Sequence, residues 1–232
     1  MKAVMFPALL SLIFAAATGF HAWGRDLPVD EVVKRVQGVY ARQCCFVAGF
    51  DQLTVNVAMD LKDRFEGNMY VKTPDRIALE VESPEPQQVV IRGRSYAVYF
   101  PEDGNAARGE IPPEMNVEHF FGFLANVGDL ARNFSISYPP KSSDPQEKLI
   151  FLELTDRKNP QGTYRIVVGI DMDHFIIRRA VIYDALGNYN RFDLFDVTFL
   201  DSLPDSRFQI APGPPDIKDP VPSKSPEKSD SK

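Results

Sequence analysis

Apolar and polar residues alternate along residues 76–82, RIALEVE, where Ile77, Leu79 and Val81 share one side of the pattern. Side chains of a β-strand point alternately to the two faces of a sheet, so this spacing predicts a strand with one apolar face. Similar patterns recur between short turns rich in Pro, Gly, Asp and Asn, and together they predict about ten or eleven antiparallel strands. The other predicted strands are 46–60, 65–73, 87–93, 95–101, 134–139, 148–154, 164–172, 174–184 and 189–200, and residues 101–114 are predicted to be a loop.

The last predicted strand changes the side on which its apolar residues lie. Phe192 and Leu194 share one parity, whereas Phe195, Val197 and Phe199 share the other. In an uninterrupted strand, one of these two groups would face away from the core. The switch therefore predicts a β-bulge near Leu194 and Phe195.

Two segments have the spacing of an amphipathic helix instead of a strand. The first is residues 27–43, in which valines recur every three or four positions. The second spans roughly 114–125, where Phe120, Phe121 and Leu124 share one side. A sheet this large tends to curl, and helices packed on its concave side would enclose an apolar space.

The two ends of the chain differ from this central part. Residues 1–24 have one early cation and an apolar stretch followed by small residues, which is typical of a secretory signal peptide cleaved after Gly24 or, alternatively, Ala17. An uncleaved membrane anchor is a further alternative, but the apolar stretch is shorter than the ~20 residues that a span needs. Residues 212–232 are rich in proline and charge, and we expect a disordered tail there. A single exported, soluble domain would occupy residues 25–211.

Net charge and cysteine content limit the partners and the reactions that can be expected of this protein. The formal net charge of −6 argues against nucleic acid and anionic membrane surfaces as partners. Cys44 and Cys45 are the only cysteines, and their adjacent Cα atoms, about 3.8 Å apart, are closer than is usual for a disulfide. Two partly buried thiols are therefore expected, with a vicinal disulfide and a redox site as alternatives.

Motifs of catalysis are absent from the sequence. No nucleophile elbow, phosphate-binding loop, dinucleotide fingerprint or Cys/His metal cluster occurs, and no Cys-His pair surrounds His119 or His174. Asp171, Asp173 and His174 could be imagined as metal ligands, but a hairpin turn explains them better. We therefore expect no enzymatic activity, no metal and no cofactor.

Several short motifs follow one another in a specific order. They are F-x-A-x-F-x-Q at Phe46–Gln52, G-x-x-x-V-K-x-P at Gly67–Pro74, G-x-x-x-x-x-Y-x-P at Gly93–Pro101, the turn Asp184–Asn188, and Phe208–Pro212. In this order the chain resembles the outer-membrane lipoprotein carrier protein family, the LolA-like periplasmic lipoprotein chaperones of Gram-negative bacteria. The resemblance covers nearly the whole central domain.

The resemblance implies a mainly β fold with some α structure (α+β). The expected architecture is an unclosed antiparallel half-barrel of about 11 strands, covered by a lid of short helices, whose cavity holds lipoprotein acyl chains. It also implies a monomeric periplasmic chaperone. Such a protein carries acylated lipoproteins from an inner-membrane ABC transporter (LolCDE-like) to an outer-membrane receptor (LolB-like).

Apolar side chains of the sheet and the lid are the lipid-binding candidates under this resemblance. Pattern alone favours the alternative that they form an ordinary helix-on-sheet core. The candidates are Phe50, Val71, Ile77, Leu79, Val81, Val89, Ile91 and Val98 on the strands, and Phe120, Phe121 and Leu124 on the lid.

One position departs from the family pattern. Family members often have an arginine before the proline of the V-K-x-P motif, where it bonds lid carbonyls and keeps the empty form closed. Here that residue is Thr73, whose hydroxyl makes fewer and weaker hydrogen bonds than a guanidinium. We predict a weaker lid latch at Thr73 or a latch supplied by Arg76, although strand parity puts Arg76 opposite Thr73.

Two other functions are compatible with the same fold. A periplasmic lipid- or lipoprotein-sensing domain is the main alternative, but such sensors usually carry a second domain. An outer-membrane receptor would need a lipidated cysteine just after the signal peptide, and no cysteine lies there.

Overall fold

The computed structural model describes residues 27–111, 122–144, 146–160, 162 and 164–209. The predicted signal peptide and tail lie outside these residues. So do most of the second predicted helix and the candidates Phe120 and Phe121.

Twelve strands form one antiparallel sheet that is not closed into a barrel. Their order across the sheet is β6-β5-β4-β3-β2-β1-β12-β11-β10-β9-β7, and β8 pairs with β9 outside this path. The strands are β1 (Cys45–Asn56), β2 (Leu61–Lys72), β3 (Arg76–Ser83), β4 (Gln87–Arg92), β5 (Ser95–Phe100), β6 (Asn105–Glu110), β7 (Phe134–Ser137), β8 (Ser143–Asp144), β9 (Leu149–Asp156), β10 (Arg165–Asp171), β11 (Ile176–Tyr183) and β12 (Tyr189–Leu200). The predicted fold class is confirmed.

One strand lies where the sequence predicts a loop. Residues Asn105–Glu110 form β6, which pairs with β5 along its whole length. The segment NAARGE has no alternation of large apolar residues. Its strand conformation comes from pairing with β5, which a local pattern does not reveal, so the loop prediction for 101–114 is wrong over these six residues.

Within the described residues the α-helices are short and lie on one face of the sheet. They are α1 (Val29–Tyr40), α2 (Gly122–Ala125) and α3 (Leu130–Asn133), with a 3-10 turn at Val127–Asp129. A second 3-10 turn, Asp205–Phe208, packs against the opposite face. We call residues 122–133 the lid. The face that α1 and the lid cover is the inner face, and the opposite one is the outer face.

Helix α1 follows directly from its sequence. Pro28 stands at its N-terminal cap, and Asp30 and Glu31 in the first turn suit the helix dipole. Its buried residues are Val32, Val33, Val36 and Tyr40, which recur at helical spacing. This stripe packs into the main core, where full burial of one aliphatic side chain contributes about 1.5–3 kcal/mol.

The predicted bulge is present in β12. Gly49 of β1 is opposite Phe195, whereas Val47 is opposite Thr198, so two residues of β12 face a single residue of β1. The first of the two, Asp196, has a φ of 51°. The bulge prediction is confirmed, although the extra residue comes slightly later than predicted.

Because of the position of the bulge, one aromatic residue lies on the other face of the sheet from the one predicted. Because the bulge follows Phe195, only Val197 and Phe199 turn back to the inner core. Phe195 lies on the outer face over Gly49, where an added Cβ would come within 2.1 Å of the Phe195 ring. The predicted grouping of Phe195 with the two later residues is therefore wrong.

Cys44 and Cys45 form a disulfide at the junction between α1 and β1. The expectation of two thiols is wrong, and the vicinal disulfide is the alternative that the structure contains. Cys44 lies in a bend before β1 begins, so its side chain is not held to the opposite face by a strand.

The candidate metal residues form a turn. Residues 172–175 connect β10 to β11, and His174 Nδ1 lies 3.1 Å from a carboxylate oxygen of Asp171. The described residues contain no group of three or more His, Cys, Asp or Glu side chains able to hold a metal ion. In the same part of the chain, no helix has both the length and the apolar character needed to cross a membrane.

Candidate functional site

Two rows of residues cross the inner face of strands β1 to β5, and a third crosses β1 to β4. Directly opposite side chains on neighbouring antiparallel strands lie about 4.5–5.5 Å apart, so each row is a line of contacts, interrupted only at Gly67 of the third row. The rows are Phe46-Val71-Ile77-Ile91-Tyr96, then Ala48-Met69-Leu79-Val89-Val98, and then Phe50-Gly67-Val81-Gln87. All eight strand candidates for lipid binding lie on these rows.

The rows are covered unevenly. On β1, β2 and β3 the candidates are buried, as Phe50, Val71 and Ile77 illustrate. On β4 and β5, Val89 and Val98 are only half-buried although they face the same way. The inner face is therefore closed over β1–β3 and partly open towards the edge strand β6.

The lid closes the first row. Helix α2 lies against β2 and β3, and Leu124 is buried in the same core as Val71 and Ile77. Between the lid and the sheet remains a pocket of about 10 Å³, which Leu124, Phe46 and Thr73 help to line. A cavity of this size holds roughly one water molecule. An acyl chain could enter this pocket only if the lid moved away from the sheet.

The lid is attached to α1. The backbone N–H of Ala131 donates a hydrogen bond to Oε1 of Gln37 at 2.9 Å. Gly128 approaches the end of α1 so closely that an added Cβ would lie 3.2 Å from Cα of Ala41. Movement of the lid would therefore break contacts with α1 as well as with the sheet.

Tyr40 connects α1 to three strands and is not among the sequence candidates. Its ring makes edge-on contacts with Phe46 and Phe199, at centroid distances of 5.7 Å and 5.1 Å. Its hydroxyl accepts a hydrogen bond from the backbone N–H of Ile177 at 3.1 Å, and burial raises the pKa of Tyr40 far above its ordinary value. Helical spacing puts Tyr40 on the apolar face, but its partner is 137 residues away in sequence.

Thr73 lies beside the lid but bonds elsewhere. Its hydroxyl donates to the carbonyl oxygen of Cys44 at 3.1 Å, and its backbone N–H donates to the same oxygen at 2.9 Å. Within the part of the chain that the structure describes, no lid carbonyl accepts a hydrogen bond from Thr73. The weak-latch hypothesis stays a prediction.

Arg76 lies on the outer face. Its guanidinium is 2.5 Å from a carboxylate oxygen of Asp205, and Lys72 binds the same oxygen at 2.7 Å. This contact takes the place of the lid contact suggested for Arg76, because residues 73 and 76 project to opposite faces. The geometry favours Thr73 over Arg76 as the residue next to the lid.

The fold and the covered apolar face define the class of protein. It is an open antiparallel sheet with one apolar face, and short helices that are not part of the sheet cover that face. A sequence model of the family described as outer membrane lipoprotein carrier protein LolA matches residues 44–211. The chain belongs to this family. No curated protein matches it.

Solved structures with a similar fold are distant in sequence. A DUF1329 family protein from Desulfovibrio piger is 14% identical with a TM-score of 0.46, and the match covers 78% of this chain and 97% of that one. A LolA superfamily protein from Nitrosomonas europaea is also 14% identical, with a TM-score of 0.43 and coverage of 79% and 98%. A Thermus thermophilus protein is 11% identical, with a TM-score of 0.48 and coverage of 79% and 93%. Family membership rests on the family model alone.

Proposed function

We propose that this protein is a periplasmic carrier of lipoproteins that holds their acyl chains between the lid and the inner face of β1–β5. One observation carries the proposal: in a chain of the LolA family, apolar rows cross five strands beneath a lid that is not part of the sheet. Phe50, Val71, Ile77, Leu79, Val81, Val89, Ile91, Val98 and Leu124 are the proposed contacts within the described residues.

The energetics of acyl chains require such a carrier. Each CH₂ group hidden from water is worth roughly 0.8 kcal/mol, so a chain of about 15 carbons represents on the order of 12 kcal/mol. A lipoprotein therefore does not leave a membrane for water without a partner that covers its chains. The same magnitude makes release difficult unless another interaction replaces the lost contacts.

When the acyl chain leaves, contacts between the closed lid and the sheet replace the contacts that are lost. In this structure Leu124 covers apolar surface that an acyl chain would otherwise cover. Cargo binding then exchanges lid contacts for acyl contacts, and the net affinity is the difference between the two. The half-buried Val89 and Val98 form the partly open border of this surface, and we infer that a chain first makes contact there.

The proposal includes a location, partners and boundaries. Residues 1–24 would direct export to the periplasm, residues 25–211 would form the carrier domain, and residues 212–232 would be a tail. A LolCDE-like transporter would load the protein as a monomer, and a LolB-like receptor would unload it. The carrier role needs no cofactor and no enzymatic step.

Release of lipoproteins from spheroplasts tests the proposal. Purified protein is added to spheroplasts, and newly made lipoproteins are sought in the soluble fraction in a complex with it. We expect one-to-one complexes with the unaltered protein. Absence of release would contradict the carrier function, and lipid that still copurified would then support a lipid-binding or sensing domain.

A matched pair of variants tests which face of the sheet binds the acyl chains. Val89 and Gln88 are neighbours on β4, both are half-buried, and they face opposite sides of the sheet. Val89→Asp would place a charge against the acyl chains, and we expect release to fall by about tenfold or more. Gln88→Asp should release lipoproteins as the unaltered protein does. Equal effects of both changes would contradict the inner-face assignment.

A further inference from the structure

Exposed large apolar side chains are concentrated at one end of the sheet. The described residues include five of them: Val57 at 56% exposure, Met59 at 62%, Leu61 at 40%, Leu186 at 79% and Phe195 at 45%. Val57, Met59 and Leu186 lie in the turns of two hairpins, β1–β2 and β11–β12, and Leu61 is the first residue of β2 after the first turn. We call these four residues the tip patch.

Hydrogen bonds join the two turns and fix their shape. The backbone N–H of Val57 donates to Oδ1 of Asn188 at 2.9 Å, which links one turn to the other. Within the second turn, Oδ1 of Asp184 accepts from the backbone N–H of Leu186 at 2.8 Å. The apolar side chains are thus presented on ordered turns, and their exposure does not come from an irregular loop.

The β1–β2 hairpin also extends beyond the neighbouring strand β3. Pairing between β1 and β2 continues to Asn56 and Leu61, whereas β3 pairs with β2 only up to Glu66. The free part of β2, at ~3.3 Å per residue, projects about 17 Å past the end of β3. The tip patch therefore protrudes on the β3 side, while on the other side β12 pairs with β1 as far as Val55. A protruding edge fits a soft surface better than it fits a preformed pocket.

Aromatic and charged groups surround the patch. Tyr183 and Tyr189, which flank the second turn, have ring centroids 5.7 Å apart, and Arg165 lies over the Tyr183 ring at 4.4 Å. Lys62 beside the first turn is exposed, and carboxylates accompany it, Asp60 in the first turn and Asp184 between β11 and β12. Apolar tips followed by tyrosines and long cationic side chains are the arrangement that lipid–water interfaces favour.

We propose that the tip patch docks this protein on the surface of a lipid bilayer with zwitterionic headgroups such as phosphatidylethanolamine. The four side chains offer on the order of 300 Å² of apolar surface, whereas a stable protein interface buries about 800 Å² on each partner. The mixed charges at the patch and the chain's net charge of −6 do not suit a strongly anionic surface. Apolar insertion, and not charge, would drive the association.

This inference goes beyond the carrier function because it concerns a different part of the molecule. The patch is at the end of β1, and the pocket under the lid is at its beginning, lined by Cys45 and Phe46. Changes in the patch should therefore leave acyl binding intact. Docking and cargo binding can be tested separately.

Flotation with vesicles tests the docking. Cargo-free protein is mixed with unilamellar vesicles of phosphatidylethanolamine with a minor share of phosphatidylglycerol, and the bound fraction is measured. We expect the unaltered protein to float, and to remain bound at about 1 M salt, where the Debye length is only ~3 Å. Met59→Ser combined with Leu186→Ser should lower the partition coefficient by about tenfold.

Phe195 provides the matched control, since it is similarly exposed but lies on the outer face away from the turns. Phe195→Ser should change the partition coefficient by less than about twofold. Unaltered protein that does not float, or a double variant that floats equally well, would overturn the proposal. Binding of the patch to a protein partner without vesicle binding would also overturn the assignment to lipid.

A fluorescent reporter covers the case in which the serine variants fold poorly. The only tryptophan is Trp23, which lies in the predicted signal peptide, so protein that begins at Arg25 can carry a single tryptophan placed elsewhere. With Met59→Trp, vesicles should shift the emission to shorter wavelength, and brominated lipid should quench it. With Phe195→Trp, neither should happen, and equal responses of the two reporters would count against docking by the tip patch.

Discussion

Tyr40 shows how much one side chain can contribute to this fold. Its ring lies between Phe46 and Phe199, and its hydroxyl accepts the backbone N–H of Ile177. The packing follows from helical spacing, whereas the hydrogen bond depends on how β11 is placed against α1. Sequence patterns therefore predict the apolar role of this residue and not its polar one.

Tyr40→Phe tests the polar role. The change keeps the ring but leaves the buried N–H of Ile177 without its acceptor, so the free energy of unfolding should fall by about 1–3 kcal/mol. Urea denaturation measures this difference. Tyr99→Phe, at a half-buried position on β5 next to the edge strand, is the control and should change stability by less than about 0.5 kcal/mol. Equal values for the two variants would contradict the account of Tyr40.

The Cys44–Cys45 pair is a second residue-scale feature that the sequence left open. Spacing alone favours free thiols, because adjacent Cα atoms are closer than most disulfides allow. The structure joins the two sulfur atoms. Thiol titration of the unfolded protein without reductant should detect neither cysteine, and titration after reduction should detect both. Two titratable thiols before reduction would contradict the disulfide.

At the scale of elements, the lid depends on a close approach between two backbones. Gly128 has no side chain, and this lets the lid contact Ala41 at the end of α1. Gly128→Val should push the lid away from α1, with higher binding of an apolar dye and faster proteolysis within the lid. Gly38→Ala is the control, because its new Cβ meets only the end of Arg42 at 4.0 Å. That change should stabilise α1 by about 0.5–1 kcal/mol.

The segment of residues 201–209 is held on the outer face by buried apolar side chains and by ion pairs. Hydrogen bonds from Lys72 and Arg76 hold the pKa of Asp205 at about 2, below its ordinary value of 3.8. Arg207 adds a contact with Glu80 at 2.5 Å. A carboxyl whose pKa is lower in the folded state stabilises the fold above its unfolded pKa and loses this effect as the pH falls.

Asp205→Asn tests this attachment. At neutral pH the variant should unfold at a lower temperature than the unaltered protein, because Lys72 and Arg76 lose their anionic partner. The difference should shrink between about pH 4 and pH 2, where the carboxyl of the unaltered protein becomes protonated. Thermal unfolding at several pH values measures it. A difference that stays constant down to pH 2 would contradict the ion-pair explanation.

At the scale of the whole molecule, the sequence predicts the strands of the sheet better than the long-range contacts between separate elements. Alternation in segments such as residues 76–82 identifies strands because one face is buried along their length. Strand β6 lacks that alternation and is fixed only by pairing with β5. The attachment of the lid to Gln37 and the joining of two distant turns at Val57 and Asn188 are likewise long-range contacts without a local pattern.

The candidate site could likewise be predicted only in part from the sequence. The inward parity of Ile77, Leu79 and Val81 follows from the strand pattern, and the register then aligns them with the candidates on β2 and β4. The pattern does not tell an acyl-binding face from an ordinary core, because both need the same alternation. Arg76 illustrates the limit, since its partner Asp205 is 129 residues away in sequence.

Photo-crosslinking inside the cell tests the central claim most directly. Val98 and Ala97 are neighbours on β5, both are half-buried, and they face the inner and outer sides of the sheet. Ala97 lines an outer groove of about 610 Å³, which leaves room for a photoreactive side chain there. The carrier account predicts crosslinks to lipoproteins from position 98 and not from position 97. Equal crosslinking from both positions, or none from position 98, would contradict it.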